Sequence, residues 1–307
     1  MSDAARILLH VGYHKTATTW MQKHLFMPAH GFRQLLDHQE IFDLIVKPHG
    51  LRFDPEPART LIAERLQALE PGEVPVISSE VLSGHPFQGG HESDVYAERL
   101  ARIAPGSRIL LSIRDQMHII PSVYMQYLQR GGTMPFDQFF EGTTRPGYFG
   151  FTPEHFEYDL LVAHYQTLFG AESIYMLTQE SLKQDMDAAA TALAEYVGAT
   201  GFHGLQASAR KVHAAGYPEY SAPFLRRANH VQTSTLNPCP ILSFGETPAG
   251  LYRLAGGLSR RWPVAPFMKG KRPVSAYVAK RFAGRYTENN RRLAKIIRHP
   301  LDLSQYC

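Results

Sequence analysis

Four short apolar runs, each typical of a buried β-strand, alternate along this chain with segments of helical periodicity. The runs lie at residues 6–11, 74–79, 108–113 and 173–177. Helical spacing covers residues 96–103, 123–128, 288–297 and the Ala- and Leu-rich stretch that ends at Gly198. Parallel strands need helical crossovers, so this alternation predicts an α/β fold with a central parallel sheet flanked by helices.

The chain has 307 residues, which suits one large α/β domain or two small ones and allows a sizeable core without disulfide staples. We predict a single domain over residues 1–307. Residues 213–271 are rich in Pro and Gly and weakly periodic. Within that domain we therefore predict that residues 199–275 form an irregular lid or an acceptor-site subregion.

The charge pattern favours a small anionic ligand over a nucleic acid. The formal net charge is +4, and the Lys and Arg residues are scattered in short groups. A continuous basic stripe with interleaved aromatics, typical of nucleic-acid binding, does not occur. We therefore expect no nucleic-acid partner.

Cysteine usage and hydropathy favour a cytoplasmic protein. The two cysteines, Cys239 and Cys307, suggest neither a disulfide framework nor a metal site. The first apolar run is too short for the core of a signal peptide, and no run approaches the roughly eighteen residues of a membrane span. We expect a cytoplasmic chain without an integral membrane segment, and nothing in the sequence indicates its oligomeric state.

The first strand is followed by a turn that suits a phosphate group. Lys15 supplies a cation, Ala17 is small enough for close backbone approach, and Thr16, Thr18 and Thr19 supply hydroxyls. The spacing of Thr19 and Gln22 predicts a capping box at the start of a helix that runs to about Pro28. A helix N-terminus at the end of a parallel strand offers free backbone N–H groups to an anion.

This turn is not a Walker A motif, because Lys15 lies only three residues after Gly12 and no second glycine precedes it. A simple helix cap with a solvated lysine is the alternative interpretation.

The third strand ends at Arg114, and Ser122 follows eight residues later. Pro121 suits the first position of a helix, which would place Ser122 in the first turn. The guanidinium fork and the hydroxyl would then share one phosphate. The alternative is a surface pair of Arg114 with Asp115 beside an ordinary helix serine.

Together these two segments resemble the donor site of sulfotransferases that use 3′-phosphoadenylyl sulfate. Residues 13–20, Tyr-His-Lys-Thr-Ala-Thr-Thr-Trp, are similar to that family's 5′-phosphosulfate loop, Tyr-Pro-Lys-Ser-Gly-Thr-Thr-Trp. Residues 114–122, with Tyr124 beyond, are similar to its 3′-phosphate motif. His14 replaces Pro and Ala17 replaces Gly, and Ala17 would restrict a conformation with positive φ. The likeness covers about residues 6–130, and residues 173–198 more loosely.

The resemblance implies an architecture like that of the P-loop-containing nucleotide hydrolases, and a donor site without a metal. Lys15 would hold the bridging and 5′-phosphate oxygens, and Arg114 and Ser122 would hold the 3′-phosphate. Other residues would line the 5′-phosphate: Thr16, Ala17, Thr18 and Thr19. The co-product would be adenosine 3′,5′-bisphosphate.

Two further assignments from the resemblance are less determined. Trp20 would either stack near the adenine or pack in the core. The family also has an Arg/Lys-Gly segment near its C-terminus that adds to the 3′-phosphate site. Arg210-Lys211 is the nearest candidate, although no Gly follows it directly.

The second strand delivers Glu80 to the same edge of the sheet. Relatives that sulfate small hydroxyl compounds place a His at the equivalent strand exit, whereas glycan-modifying relatives use a Glu. Glu80 is therefore the candidate base beside the catalytic Lys15, with His85 in reserve. A structural glutamate that caps the following turn or pairs with Lys15 is the alternative. His10, His14 and His118 lie near strand ends but lack the spacing of metal ligands.

The implied activity is in-line transfer of a sulfuryl group to an acceptor hydroxyl. Glu80 favours a carbohydrate or glycolipid, with a small alcohol or phenol left open. Aromatic residues that would wall an acceptor pocket or pack in the core are Tyr148, Phe149, Phe151, Phe156, Tyr158, Tyr217, Tyr220 and Phe224. A P-loop-type kinase or phosphotransferase and a non-catalytic nucleotide-binding module are the alternatives.

Overall fold

The centre of the protein is a parallel β-sheet, seen in a computed structural model that describes residues 6–142, 145–210, 216–261, 267–268 and 270–306. The described strands are β1 (Leu8–Gly12), β2 (Phe32–Gln34), β3 (Val74–Ser78), β4 (Arg108–Ile113) and β5 (Ile174–Thr178). Their order across the sheet is β2-β3-β1-β4-β5, and every described pairing is parallel. The predicted α/β fold with a central parallel sheet is confirmed.

The first strand, β1, is the central strand of the sheet. β1 lies between β3 and β4, with Leu9 opposite both Ile77 and Ile109. The four strands predicted from the sequence are present; the bounds of β4 are as predicted, and the ends of the other three differ by at most two residues. The edge strand β2 was missed, because three residues are too few to show a hydrophobic period.

Helices cover both faces of the sheet. Two begin as an α-helix and continue as a π-helical stretch: α1 (Thr18–Trp20, then Met21–Leu25) and α2 (His38–Ile41, then Phe42–Val46). The next helices along the chain are α3 (Glu56–Leu66), α4 (Ser93–Ile103), α5 (Gln116–Gln129), α6 (Phe136–Glu141) and α7 (Tyr158–Phe169). They are followed by α8 (Gln179–Gln184), α9 (Met186–Val197), α10 (Ala222–Asn229), α11 (Gly250–Ser259), α12 (Pro273–Arg281) and α13 (Thr287–Ile296).

Alternate strand residues face opposite layers, as the two-residue period of a strand requires. Leu9 and Ile109 belong to the larger core, which includes residues of α4, α5 and α7. Leu8 and Leu110 belong to a second core with residues of α1 and α9. Full burial of one such side chain contributes about 1.5–3 kcal/mol to the free energy of folding. The sheet is therefore stabilised by packing on both of its faces.

The capping box predicted at Thr19 and Gln22 is wrong. Helix α1 begins at Thr18, and its N-cap is Ala17, whose side chain has no group to cap it. Thr19 therefore lies inside the first turn, and the Gln22 Nε2 donates to the Ser78 carbonyl at 3.1 Å instead. The helix ends at Leu25, before the short 3₁₀ turn Pro28–His30.

The position predicted for Pro121 is also wrong. Helix α5 begins at Gln116, so Pro121 lies within it and Ser122 lies in its second turn. Ile119 and Ile120, which precede Pro121 in the helix, are fully buried. Their burial outweighs the one backbone hydrogen bond that a proline removes from a helix.

The C-terminal third is more regular than the sequence indicated. Within residues 199–275, the helices α10 and α11 pack on each other, and α10 packs on α5. The Asn229 Nδ2 donates to the carbonyls of Leu128 and Gly132, both at 2.8 Å, which ties α10 to the end of α5. Among the described helices, none has the length and apolarity to cross a bilayer.

Candidate active site

A cleft of about 1440 Å³ opens at the carboxyl ends of the strands. The turn after β1 lines it, as do Glu80 two residues after β3, Arg114 after β4 and Gln179 after β5, and α5 forms one side. Residues near 216–220, 248–253 and 270–272 line another side. Pockets for a single small ligand measure about 300–1,000 Å³, so this cleft has room for two substrates.

Lys15 and Arg114 both line this cleft. They leave neighbouring strands, because β1 and β4 pair directly and in parallel. Ligands in parallel α/β sheets collect at this edge. The two cations proposed from the sequence to hold opposite ends of one nucleotide therefore share a cavity.

The turn after β1 has a strained backbone. Lys15 and Ala17 have φ values of 68° and 70°, in the left-handed region that favours glycine. Each non-glycine residue there costs about 1–2 kcal/mol, and such strain concentrates at functional sites. Ala17 thus adopts the conformation for which the similar family loop has a glycine.

Hydrogen bonds from neighbouring strands hold this turn. The Thr16 hydroxyl donates to the Tyr13 carbonyl at 2.6 Å and bonds the Ser112 hydroxyl of β4 at 2.7 Å. The Gln179 Nε2, at the exit of β5, donates to the Lys15 carbonyl at 3.1 Å. The turn is therefore fixed before any ligand binds.

A buried histidine links three strands beneath the turn. The His10 Nδ1 lies 2.8 Å from the Ser78 Oγ of β3, and its Nε2 lies 3.1 Å from the Ser112 Oγ of β4. Burial lowers the pKa of His10 to about 3, so the ring is neutral at neutral pH. A side chain at Gly12 would collide with Ser112, Thr18 and His10, which explains a glycine there.

Lys15 lies in a positive environment. Its pKa is lowered from the ordinary value, mainly by burial and then by Arg130 and Arg114, whereas Glu80 raises it. Partial burial beside like charges makes the free ammonium unfavourable. An anion bound in the cleft would relieve this cost.

Arg114 and Ser122 contact each other directly. The Arg114 Nη1 donates to the Ser122 Oγ at 3.0 Å, and that hydroxyl donates to the His118 carbonyl at 2.9 Å. Asp115 bonds His118 at 2.7 Å, so the alternative Arg114–Asp115 pair does not form. The Arg114 Nε is buried without a partner among the described residues, and this leaves a donor for a ligand.

The other loop residues differ in orientation. Ala17, Thr18 and Thr19 line the cleft. The Thr16 side chain is fully buried and its hydroxyl is bonded within the turn, so only its backbone is left to meet a ligand.

Glu80 follows β3 and lines the cleft with Lys15. The Ser79 side chain, not that of Glu80, accepts from the Val81 N–H and caps the short turn Glu80–Ser83. No direct ion pair joins Glu80 to Lys15 among the described contacts, although Glu80 raises the lysine pKa. Glu80 therefore neither caps the turn that follows it nor forms a described ion pair with Lys15, which were the two structural alternatives.

The reserve base His85 lies outside the described cleft lining. Its Nδ1 accepts from the Phe87 N–H at 3.4 Å, and burial lowers its pKa. Its ring centroid lies 6.0 Å from that of His14.

His14, which was not among the site residues predicted from the sequence, also lines the cleft. Its Nε2 is buried without a partner among the described residues, and its Nδ1 faces the Gln126 Nε2 at 3.4 Å. Burial, followed by the nearby His85 and His155, holds its pKa well below the ordinary value. His14 is therefore a neutral hydrogen-bonding group.

Further polar residues of the cleft carry no motif. The amide oxygens of Gln126 and Gln179 have no partner among the described residues. Four cations lie on the C-terminal wall, and the sequence indicated them only as scattered charge: Arg253, Arg260, Lys271 and Arg272.

The candidate Arg210 does not line the cleft. It is exposed and pairs with Asp187 at 2.8 Å. Lys211 lies outside the described residues. Trp20 is 7% exposed, packs in the second core and donates to the Ala209 carbonyl at 2.7 Å, while one edge lines the cleft.

The predicted aromatic cluster divides between core and cleft. Phe151, Phe156 and Tyr158 are buried in the larger core. Tyr217 and Tyr220 line the cleft, and Tyr252 joins them. Tyr148, Phe149 and Phe224 are exposed and lie outside the described lining. Within the described part of the chain, no group of three His, Cys, Asp or Glu residues is placed to hold a metal.

Comparison with known proteins finds solved structures that resemble this one. No protein family model and no curated protein matches this sequence. A sulfotransferase from Alicyclobacillus acidocaldarius has a TM-score of 0.43 at 16% identity, covering 75% of this chain and 93% of that one. Mouse sulfotransferase SULT7A1 complexed with PAP has a TM-score of 0.41 at 11% identity, covering 95% and 88%. Both are of the class that the two sequence motifs resemble.

Proposed function

We propose that this chain transfers a sulfuryl group from 3′-phosphoadenylyl sulfate to a hydroxyl of an acceptor. The observation that carries the proposal is the single cleft shared by Lys15 and the Arg114–Ser122 pair. A nucleotide with phosphates at both its 3′ and 5′ positions matches two separate cationic groups at one sheet edge.

The donor roles follow from the contacts available. Lys15 would neutralise the 5′-phosphate and its bridging oxygen, and backbone N–H groups of residues 16–19 at the start of α1 would complete that subsite. Arg114 and Ser122 would hold the 3′-phosphate. The unpartnered Arg114 Nε and the unfavourable environment of Lys15 both fit an anion as the missing partner.

The reaction would be an in-line displacement at sulfur. The acceptor oxygen forms a bond to sulfur, the bond from sulfur to the bridging phosphate oxygen breaks, and adenosine 3′,5′-bisphosphate leaves. Glu80 receives the proton of the acceptor hydroxyl, while Lys15 stabilises the charge that develops on the leaving oxygen. Glu80 suits this role because it lines the cleft with Lys15 and has no ion-pair partner in the part of the chain that the structure describes.

A carbohydrate hydroxyl is the acceptor that best fits the polar and aromatic side chains lining the cleft. The carboxamides of Gln126, Gln129 and Gln179 line the cleft and offer both donors and acceptors. Tyr217 and Tyr252 add aromatic faces. We propose that the wall within residues 199–275 receives this acceptor.

The test is a transfer assay with ³⁵S-labelled donor and a panel of sugars, alkyl glycosides, alcohols and phenols. Four variants accompany the wild type: Lys15→Ala, Glu80→Ala, His85→Ala and the control Glu98→Ala, an exposed residue of α4 outside the cleft. Lys15→Ala should abolish transfer. Glu80→Ala should lower kcat about 100-fold or more, as loss of a positioned base does, with nucleotide affinity retained.

A measurement of nucleotide binding, run beside this transfer assay, separates the competing functions. Binding of ATP with magnesium in preference to the sulfated nucleotide would indicate a phosphotransferase. Nucleotide binding without transfer to any acceptor would indicate a binding module. Full activity in the Glu80 variant with loss in His85→Ala would transfer the base role to His85.

A further inference from the structure

A second, smaller cavity of about 420 Å³ adjoins the cleft. Tyr217, Arg253 and Arg260 line both cavities, so the two adjoin at these side chains. The remainder of the second cavity is formed by the helix α11 and Arg261 just beyond its end. Its contents would extend from whatever occupies the acceptor side of the cleft.

The floor of this cavity is apolar. Leu254 and Leu258 lie four residues apart, on one face of α11, and each is 56% exposed. Gly257 also lines the cavity, and a Cβ added there would meet no atom within 4 Å, so this part of the helix surface is open. Exposed single leucines are common, but a pair that lines a cavity beside a substrate cleft offers a surface for an alkyl group.

The rim of the cavity is cationic. Arg260 lies over the Tyr217 ring at 4.5 Å and donates to the Gly216 carbonyl at 2.7 Å, so it also holds α11 against the preceding segment. Arg253 and Arg261 form no ion pair with an acidic side chain among the described residues. The described lining contains no Asp or Glu. The guanidinium groups of Arg253 and Arg261, in the same cavity as two exposed leucines, complement an anion joined to a hydrocarbon chain.

We propose that this cavity binds an anionic, alkyl-bearing part of the acceptor, which makes the acceptor an anionic amphiphile. The proposal rests on the proposed function for the position of the transferred group. The alkyl chain would lie along Leu254 and Leu258, and a carboxylate or phosphate would bind Arg253 and Arg261. The acceptor hydroxyl would then lie in the main cleft.

Four ligands test the negative charge and the alkyl chain separately: glucose, glucuronic acid, octyl glucoside and octyl glucuronide. Their affinities are measured by calorimetry with adenosine 3′,5′-bisphosphate present, below the micelle concentration, and their turnover with labelled donor. We expect octyl glucuronide to bind most tightly. Removal of its charge or of its chain should each weaken binding about tenfold, which corresponds to about 1.4 kcal/mol.

Variants assign each feature to a residue. Arg253→Gln combined with Arg261→Gln should remove the preference for the charged ligands and leave the preference for the octyl chain. Leu254→Gln should do the reverse. The controls are Arg227→Gln on α10, exposed and outside both cavities, and Leu160→Gln on α7, which is 54% exposed.

Each outcome decides a separate point. Equal affinities for the four ligands, or equal effects of the cavity and control variants, would overturn the subsite. Discrimination in binding without turnover of any ligand would support the subsite and reject sulfuryl transfer. Turnover of the four sugars at equal kcat/KM would retain the transfer function and reject the amphiphilic acceptor.

Discussion

The guanidinium of Arg114 donates a hydrogen bond to the hydroxyl of Ser122 across 3.0 Å, and this bond joins the end of β4 to the second turn of α5. The Arg114 carbonyl accepts from the Tyr158 hydroxyl at 2.7 Å, which fixes the backbone as well. Both groups of the proposed 3′-phosphate subsite are therefore positioned in the free protein. Such preorganisation lowers the entropy cost of binding.

Replacement of Arg114 should act on the 3′-phosphate alone. We expect Arg114→Gln to weaken binding of adenosine 3′,5′-bisphosphate by about ten- to 100-fold, since a hydrogen bond to a charged group contributes about 1.5–3 kcal/mol. Its effect on adenosine 5′-monophosphate, which lacks that phosphate, should be small. Calorimetric titration of both nucleotides measures the difference. Equal losses would place the 3′-phosphate elsewhere.

Much of the fold followed from the sequence because four strands are buried on both faces and read as continuous apolar runs. The errors arose where tertiary contacts override local preference. Pro121 lies inside α5 because Ile119 and Ile120 bury in the core, and α1 begins after a left-handed Ala17 instead of a capping Thr19. The helices α10 and α11 lie among prolines and glycines that obscured their period.

The backbone strain at Ala17 should appear in stability measurements. Ala17→Gly removes a Cβ from a left-handed residue, which offsets the flexibility that glycine adds to the unfolded chain. Ala189 in α9 is the matched control, because both alanines pack partly buried against the same core. We expect Ala189→Gly to lower the free energy of unfolding by about 1 kcal/mol, and Ala17→Gly to change it by less than about 0.5 kcal/mol. Urea denaturation measures both, and equal losses would contradict the strain.

His10 should make the stability depend on pH. Its pKa is about 3 in the folded protein and ordinarily 6.5, so between these values the unfolded chain binds the extra proton. Stability therefore falls as the pH falls through this window, by up to about 1.4 kcal/mol per pH unit for each such histidine. His155 behaves alike, with a pKa of about 3. In His10→Gln, denaturation at pH 6 and 5 should show a slope smaller by about one proton, and an unchanged slope would contradict the buried neutral ring.

Lys15 should limit donor binding at alkaline pH. Its lowered pKa means that the ammonium loses its proton below pH 10.5, and the affinity for an anionic nucleotide should fall as the pH rises through this lowered pKa. Lys15→Arg keeps its charge over this range, so its affinity should stay flat. Titration with adenosine 3′,5′-bisphosphate from pH 7 to 10 compares the two proteins. A parallel decline in both would assign the loss to another group.

The candidate site was only partly predictable. Lys15, Glu80 and Arg114 follow strands, so their convergence follows from the parallel order of the sheet. Gln126, Tyr252 and Arg253 reach the cleft through the packing of α5, α10 and α11, and their sequence carries no motif. His14 stood out only as a departure from a family pattern, and its burial against Gln126 depends on the placement of α5.

A crystal structure with adenosine 3′,5′-bisphosphate tests the central claim most directly. We predict one nucleotide in the cleft, with its 5′-phosphate bonded to the Lys15 ammonium and its 3′-phosphate bonded to Arg114 and Ser122. A nucleotide that touches only one of these cationic groups, or that binds outside the cleft, would contradict the account.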